Sequence, residues 1–176
     1  MSLKKKGIGI FGGSFDPPHK GHVKISKISL KKFGLKKIYW IITKQNPFKK
    51  KPFFSLENRI RKSRKILGKN NKIKVLYLDK KLNSTRSIHV INYFIKKKKQ
   101  KKLYLIIGSD SLINFHRWKS WKKIVKLTNL IVFSRRRYDK KSKNSTVVKY
   151  LKKNNIIYVN NEYFDTSSSK IRKKIK

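Results

Sequence analysis

The stretch that most constrains the fold of this chain runs from Gly7 to His22, GIGIFGGSFDPPHKGH. Ile8 to Phe11 reads as a buried strand. It breaks on Gly12-Gly13, passes through Asp16-Pro17-Pro18, and reaches His19-Lys20-Gly21-His22 before a helical pattern begins. A strand that ends on glycines and restarts as a helix exposes backbone N–H groups at the helix start. Those groups and the helix dipole favour a bound phosphate. Gly12 and Gly13 let the backbone approach a ligand closely, and His19 and His22 supply hydrogen-bond donors for phosphate oxygens from one turn.

The rest of the chain repeats the alternation. Val23, Ile25, Ile28 and Leu30 mark a helix to Phe33, ended by Gly34. Apolar or β-rich runs at 37–43, 73–78, 103–107, 130–133 and 156–159 read as strands. Between them, Ser55 caps a helix carrying Leu56, Ile60 and Ile66, and Ser84-Thr85 start another through Ile88, Ile91 and Phe94. Short helical pieces carry Trp118, Trp121, Ile124 and Val125, with Trp121 the core residue of the two tryptophans. The segment 135–144 reads as an exposed polar loop, Ser145 as the cap of a short helix, and 167–175 as a terminal helix. Continuous apolar strands alternating with helices predict an α/β fold: a single Rossmann-like domain over 1–176, mostly parallel, with helices on both faces. In such sheets ligands bind beyond the carboxyl ends of strands. The segments 12–22, 108–110 and 134–136, and the serines near 167–172, all follow predicted strands.

Composition narrows the classes. With 38% hydrophobic residues and 12% aromatics, disorder is excluded despite the charge. No apolar run approaches the roughly 18 residues of a membrane span, and the short apolar part after the basic N-terminus is not read as a signal peptide. The absence of Cys excludes disulfides and thiol catalysis and fits a cytoplasmic protein. The net charge of +43 comes from 50 Lys and Arg against 7 Asp and Glu, spread over every segment. That field attracts any polyanion non-specifically, but no basic module stands out. Asp16, Asp110 and Asp165, three of the few acids, fall in or beside the motif segments. Two rival readings of the opening stretch fail. The literal GxGxxG of Gly7, Gly9 and Gly12 puts its first glycines inside the strand, and the stretch 27–33 lacks the acid that a dinucleotide fingerprint needs. A zinc site at His19 and His22 has no third ligand nearby.

The opening stretch resembles the GGxFDPxHxGH segment of the HxGH nucleotidyltransferase superfamily and, within it, the bacterial nicotinate-nucleotide adenylyltransferases. Ser167-Ser168-Ser169-Lys170-Ile171-Arg172, preceded by Thr166, resembles their ISSTxIR, and Gly108-Ser109-Asp110-Ser111-Leu112 with Trp118 resembles their GxDSL…W. The resemblance implies transfer of AMP from ATP to nicotinate mononucleotide, giving deamido-NAD and pyrophosphate. In that reading His19, His22 and Arg172 are catalytic. Gly12, Gly13, Ser14, Phe15, Gly108, Asp110, Arg135, Ser168 and Ser169 bind ATP. Thr85, Trp118 and Lys49 serve the mononucleotide, although Lys50 and Lys51 compete with Lys49. Mg2+ is expected on the ATP phosphates, with no side-chain metal site. Pantetheine-phosphate adenylyltransferase and cytidylyltransferase activities, or RNA binding, are the alternatives, and the oligomeric state stays open.

Overall fold

The structure, a computed structural model, describes residues 7–152, 155–160 and 167–175. Asp165 and Thr166 of the motif segments lie outside the described residues. Six strands form one sheet: β1 (Ile8–Gly13), β2 (Lys37–Ile42), β3 (Ile73–Leu76), β4 (Leu103–Gly108), β5 (Asn129–Phe133) and β6 (Ile156–Val159), in the order β3-β2-β1-β4-β5-β6. β2 pairs with β3, β4 with β5 and β5 with β6, all parallel, with Trp40 opposite Val75 and Ile106 opposite Ile131. This is the doubly wound order of a Rossmann-like sheet. Strands β4 and β5 are almost wholly buried, as expected where both faces are covered.

The chain resolves into two compact units, one of residues 11–85 and 164–176, the other of 1–10 and 86–163. In the first, α1 (Lys20–Lys32) buries Gly21, Ile25, Ser26 and Ser29. Ser26 is small and polar because it relays hydrogen bonds: the indole of buried Trp40 donates to Ser26 Oγ at 2.8 Å, and Ser26 donates to the His22 carbonyl at 2.9 Å. Helix α2 (Leu56–Leu67) starts on Ser55, whose hydroxyl accepts from the Asn58 amide, and ends at Gly68 with φ of 56°, a conformation that favours glycine. A short α3 (Asp79–Leu82) and the terminal α9 (Ser168–Lys173), capped by Ser167, complete this unit.

The second unit holds α4 (Ser87–Lys96), α5 (Ser109–Ile113), a 3-10 turn at Phe115–Arg117, α6 (Trp121–Leu127), α7 (Asp139–Lys143) and α8 (Thr146–Leu151). Its apolar faces bury Ile88, Ile91, Phe94, Phe115, Ile124, Val125 and Val147.

Local readings of the sequence change in five places. β3 stops at Leu76, because Leu78 already leads into α3. Helix α4 starts at Ser87, not at Ser84-Thr85, because Asn83 turns left-handed to close α3 and the Ser84 amide bonds back to the Asp79 carbonyl. The 135–144 segment is not an exposed loop throughout: it contains α7, whose Ser142 is buried and donates to the Asp139 carbonyl at 2.8 Å. Ser145 precedes α8 but its hydroxyl makes no capping bond. Trp121 is half-buried against Tyr150, and the core aromatic of its region is Phe115.

Candidate active site

The first unit's site is built around the carboxyl end of β1. At Gly12 a Cβ would meet nothing within 4 Å, and at Gly13 only the Phe15 ring, at 3.4 Å. Internal packing does not demand glycine at position 12, so the bare backbone there leaves room for a ligand. Phe15 holds φ of 48°, a costly value for an aromatic residue. Packing enforces it: the ring is buried and stacks on Trp40 with centroids 4.8 Å apart.

His19 caps α1. Its Nδ1 accepts from the Gly21 amide at 3.2 Å, and His22 Nδ1 accepts from the His19 amide at 3.2 Å. With both Nδ1 atoms accepting, the neutral rings carry their proton on Nε2, a tautomer assigned from the hydrogen bonds. The two rings lie 3.9 Å apart, and His22 is flanked by Phe15 and Trp40 at 4.8 and 5.9 Å. Capping and aromatic packing thus hold both imidazoles in fixed orientations on the same turn.

The far end of the chain joins this loop. Ser168 donates to the Pro17 carbonyl at 2.9 Å. Arg172 donates to the Asp16 carbonyl, lies 3.4 Å from the Asp16 carboxylate, and donates to Ser169 Oγ at 3.1 Å. Asp16 also accepts the amides of Phe53 and Phe54 at 2.8 and 2.9 Å. One buried carboxylate therefore ties together the β1–α1 loop, the end of the 43–54 segment and α9. The sequence marked Asp16 as a retained acid without assigning it this role.

A second anchor was not foreseen. Arg59, on α2 and 2% exposed, donates to four main-chain carbonyls. Burial lowers its pKa, while Asp16 and Asp79 oppose the shift. Helical spacing carried the signal: Arg59 shares a face with Leu56, Ile60, Ser63 and Ile66, the side of α2 that faces inward. Lys49 is exposed in the same segment, with its main chain bonded to Asn46 and Gln45, and Thr85 is exposed beyond α3.

The other unit carries its own cluster. Arg135 Nε lies 3.3 Å from Asp110 Oδ1, and its amide donates to Ser109 Oγ and to Asp139 Oδ1, each at 3.0 Å. Gly108 gives this pair its room: a Cβ would fall 2.4 Å from Asp110 Oδ1 and 2.8 Å from Arg135 Nε, so both side chains would have to shift. Trp118 is half-buried and stacks on Phe115 with centroids 4.7 Å apart, leaving part of the indole open. Among the described residues no three His, Cys, Asp or Glu side chains gather as a metal site, and no helix is long and apolar enough to cross a membrane.

A doubly wound sheet with a glycine break, two oriented imidazoles and an arginine anchored beside them defines a nucleotidyltransferase, and the cytidylyltransferase-like family matches residues 10–174. A protein of Pelagibacter ubique, described as a probable nicotinate-nucleotide adenylyltransferase, is 48% identical over 98% of this chain and 96% of its own. A protein of Endomicrobium trichonymphae with the same description is 34% identical over 96% of this chain and 86% of its own. The chain belongs to the nicotinate-nucleotide adenylyltransferase family. The fold is shared with the Plasmodium falciparum nicotinic acid mononucleotide adenylyltransferase solved in complex with NaAD, at a TM-score of 0.74 and 21% identity over 96% of this chain and 83% of that one.

Proposed function

We propose that this protein transfers AMP from ATP to the phosphate of nicotinate mononucleotide, forming deamido-NAD and pyrophosphate in NAD biosynthesis. A phosphate oxygen of the mononucleotide attacks the α-phosphorus of ATP. The bond to the α–β bridging oxygen breaks, and the electron pair leaves with pyrophosphate. A phosphate monoester is largely dianionic near neutral pH, with its second pKa at about 6, so the nucleophile needs no general base. Catalysis reduces to alignment and to stabilising charge on the leaving oxygens.

The observation that carries this reading is the joining of the His19–His22 turn to the Ser168–Arg172 helix through Asp16 and Pro17. In it, the Nε2–H groups of His19 and His22 and the guanidinium of Arg172 hold the triphosphate. Gly12, Gly13, Ser14 and Phe15 supply the backbone against which it lies, with Ser168 and Ser169 adding hydroxyls. Gly108, Asp110 and Arg135 serve the ATP ribose and base. Trp118 stacks on the pyridine ring, and Thr85 and Lys49 meet the carboxylate and phosphate of the mononucleotide. All of 1–176 acts as a single nucleotidyltransferase domain. Among the described residues no three His, Cys, Asp or Glu side chains gather, and in this reading Mg2+ enters with the ATP phosphates. With ATP and a mononucleotide as substrates, the reading carries a cytoplasmic location.

Pyrophosphate release from ATP, measured against nicotinate mononucleotide, nicotinamide mononucleotide and phosphopantetheine, tests the assignment. Release with the first substrate supports it. Turnover with phosphopantetheine alone, or salt-sensitive RNA binding without turnover, overturns it.

A further inference from the structure

Among the described residues, Arg59 alone of the lysines and arginines is buried, and no step of the transfer uses it. Its guanidinium is spent on the main chain. Nε donates to the Phe54 carbonyl at 3.1 Å, Nη1 to those of Ser14 and Thr43 at 2.8 Å each, and Nη2 to that of Lys44 at 3.0 Å. These carbonyls come from three segments: the loop that leads to His19, the turn after β2, and the lead-in to α2. The turn after β2 is held from its other side as well. The Asp79 carboxylate accepts from the Lys44 amide at 2.7 Å and from Thr43 Oγ1 at 2.9 Å. Cation and anion thus clamp opposite polar faces of the Thr43–Lys44 peptide unit, and Arg59 takes the next carbonyl as well. Phe54 is shared in a similar way, with its carbonyl on Arg59 and its amide on Asp16.

We propose that Arg59 is a positioning residue for adenylyl transfer: by fixing the Ser14 carbonyl relative to Thr43, Lys44 and Phe54, it sets the backbone path that carries Asp16 to Arg172 and orients His19 and His22. The inference rests on the adenylyl-transfer reading above. A planar fork with five donors reaches several carbonyls at once, whereas a lysine ammonium offers three donors from one point. Lysine therefore keeps the charge but not the register.

The experiment compares wild type with Arg59→Lys and Arg59→Gln, each assayed as folded protein, for kcat and for KM with ATP and with nicotinate mononucleotide. Misplacing reacting groups by about 1 Å costs on the order of 10²-fold. Both variants should therefore lose roughly 10- to 100-fold in kcat while either KM moves less than about threefold. In a His22→Ala background the Arg59→Lys loss should shrink to a few-fold, because residues acting as a unit are non-additive. A merely structural role predicts the opposite: a lower Tm, unchanged kcat per folded molecule, and additive losses. That result overturns the proposal. If neither variant folds, side-chain 15N NMR of the wild type decides. Separate, slowly exchanging Hη signals for Arg59 support the clamp, and one averaged signal overturns it. Wild-type turnover with nicotinate mononucleotide is recorded alongside, so failure of the substrate reading is distinguished from failure of the clamp.

Discussion

Replacing Asp16 with Asn should weaken both the fold and the transfer, by amounts the geometry bounds. The Asp16 side chain is 7% exposed and accepts from two amides, Phe53 at 2.8 Å and Phe54 at 2.9 Å, on separate carboxylate oxygens. Asparagine keeps one acceptor oxygen, so one amide stays bonded and the other faces an NH2 group. A buried donor left without a partner costs about 1–3 kcal/mol. The Arg172 side chain is 31% exposed at 3.4 Å from the carboxylate, so water and salt screen that pair to about 0.5–1 kcal/mol. The sum, about 1.5–4 kcal/mol, corresponds to a Tm lowered by roughly 3–15 °C for a chain of this size. Arg172 keeps its bonds to the Asp16 carbonyl and to Ser169 but loses its counter-charge, so its alignment loosens. A missing charge-stabilising donor costs on the order of 10²–10³ in kcat; a loosened one should cost roughly 10- to 100-fold. Thermal melts and steady-state pyrophosphate release with the same preparation read both effects. An Asp16→Asn protein that melts with the wild type and turns over at its rate would refute the claim that this carboxylate links the two ends of the chain.

Three further outcomes follow from the same geometry. His22→Ala should lower kcat by roughly 10²–10³ with the fold intact by circular dichroism, as loss of one oxyanion donor does. Gly108→Ala places a methyl 2.4 Å from Asp110 Oδ1, and should break the Asp110–Arg135 pair and raise the KM for ATP more than it lowers kcat. Trp40→Phe removes the donor to Ser26; chemical denaturation should show a loss of about 1–3 kcal/mol, from one unmade hydrogen bond and the space left by the smaller ring.

The sheet was legible because each strand carries a run of β-branched, aliphatic and aromatic residues bounded by polar or glycine-bearing turns. The β1–α1 loop was legible because glycine, proline and histidine leave few other conformations there. What escaped the sequence shares one cause: it depends on main-chain partners that no side-chain pattern announces. Arg59 is one cation among 50 basic residues, and only the convergence of four carbonyls on it gives it a role. Asp16 stood out by the scarcity of acids, yet its partners lie 37 and 156 residues away. Helices α3 and α7 are single turns whose polar, lysine-rich sequences carry no apolar period. Trp121 was read as the core residue of the pair because Trp118 held the motif position, but Trp121 lies half-buried against Tyr150 and Phe115 fills the interior instead.

The central claim is that the turn bearing His19 and His22 and the helix bearing Arg172 serve one triphosphate. A crystal structure with a non-hydrolysable ATP analogue tests it most directly. The account predicts imidazole Nε2 atoms and the Arg172 guanidinium each within about 3 Å of oxygens on the same phosphate chain. A triphosphate bound without either group, or held by one of them while the other faces away, would contradict it.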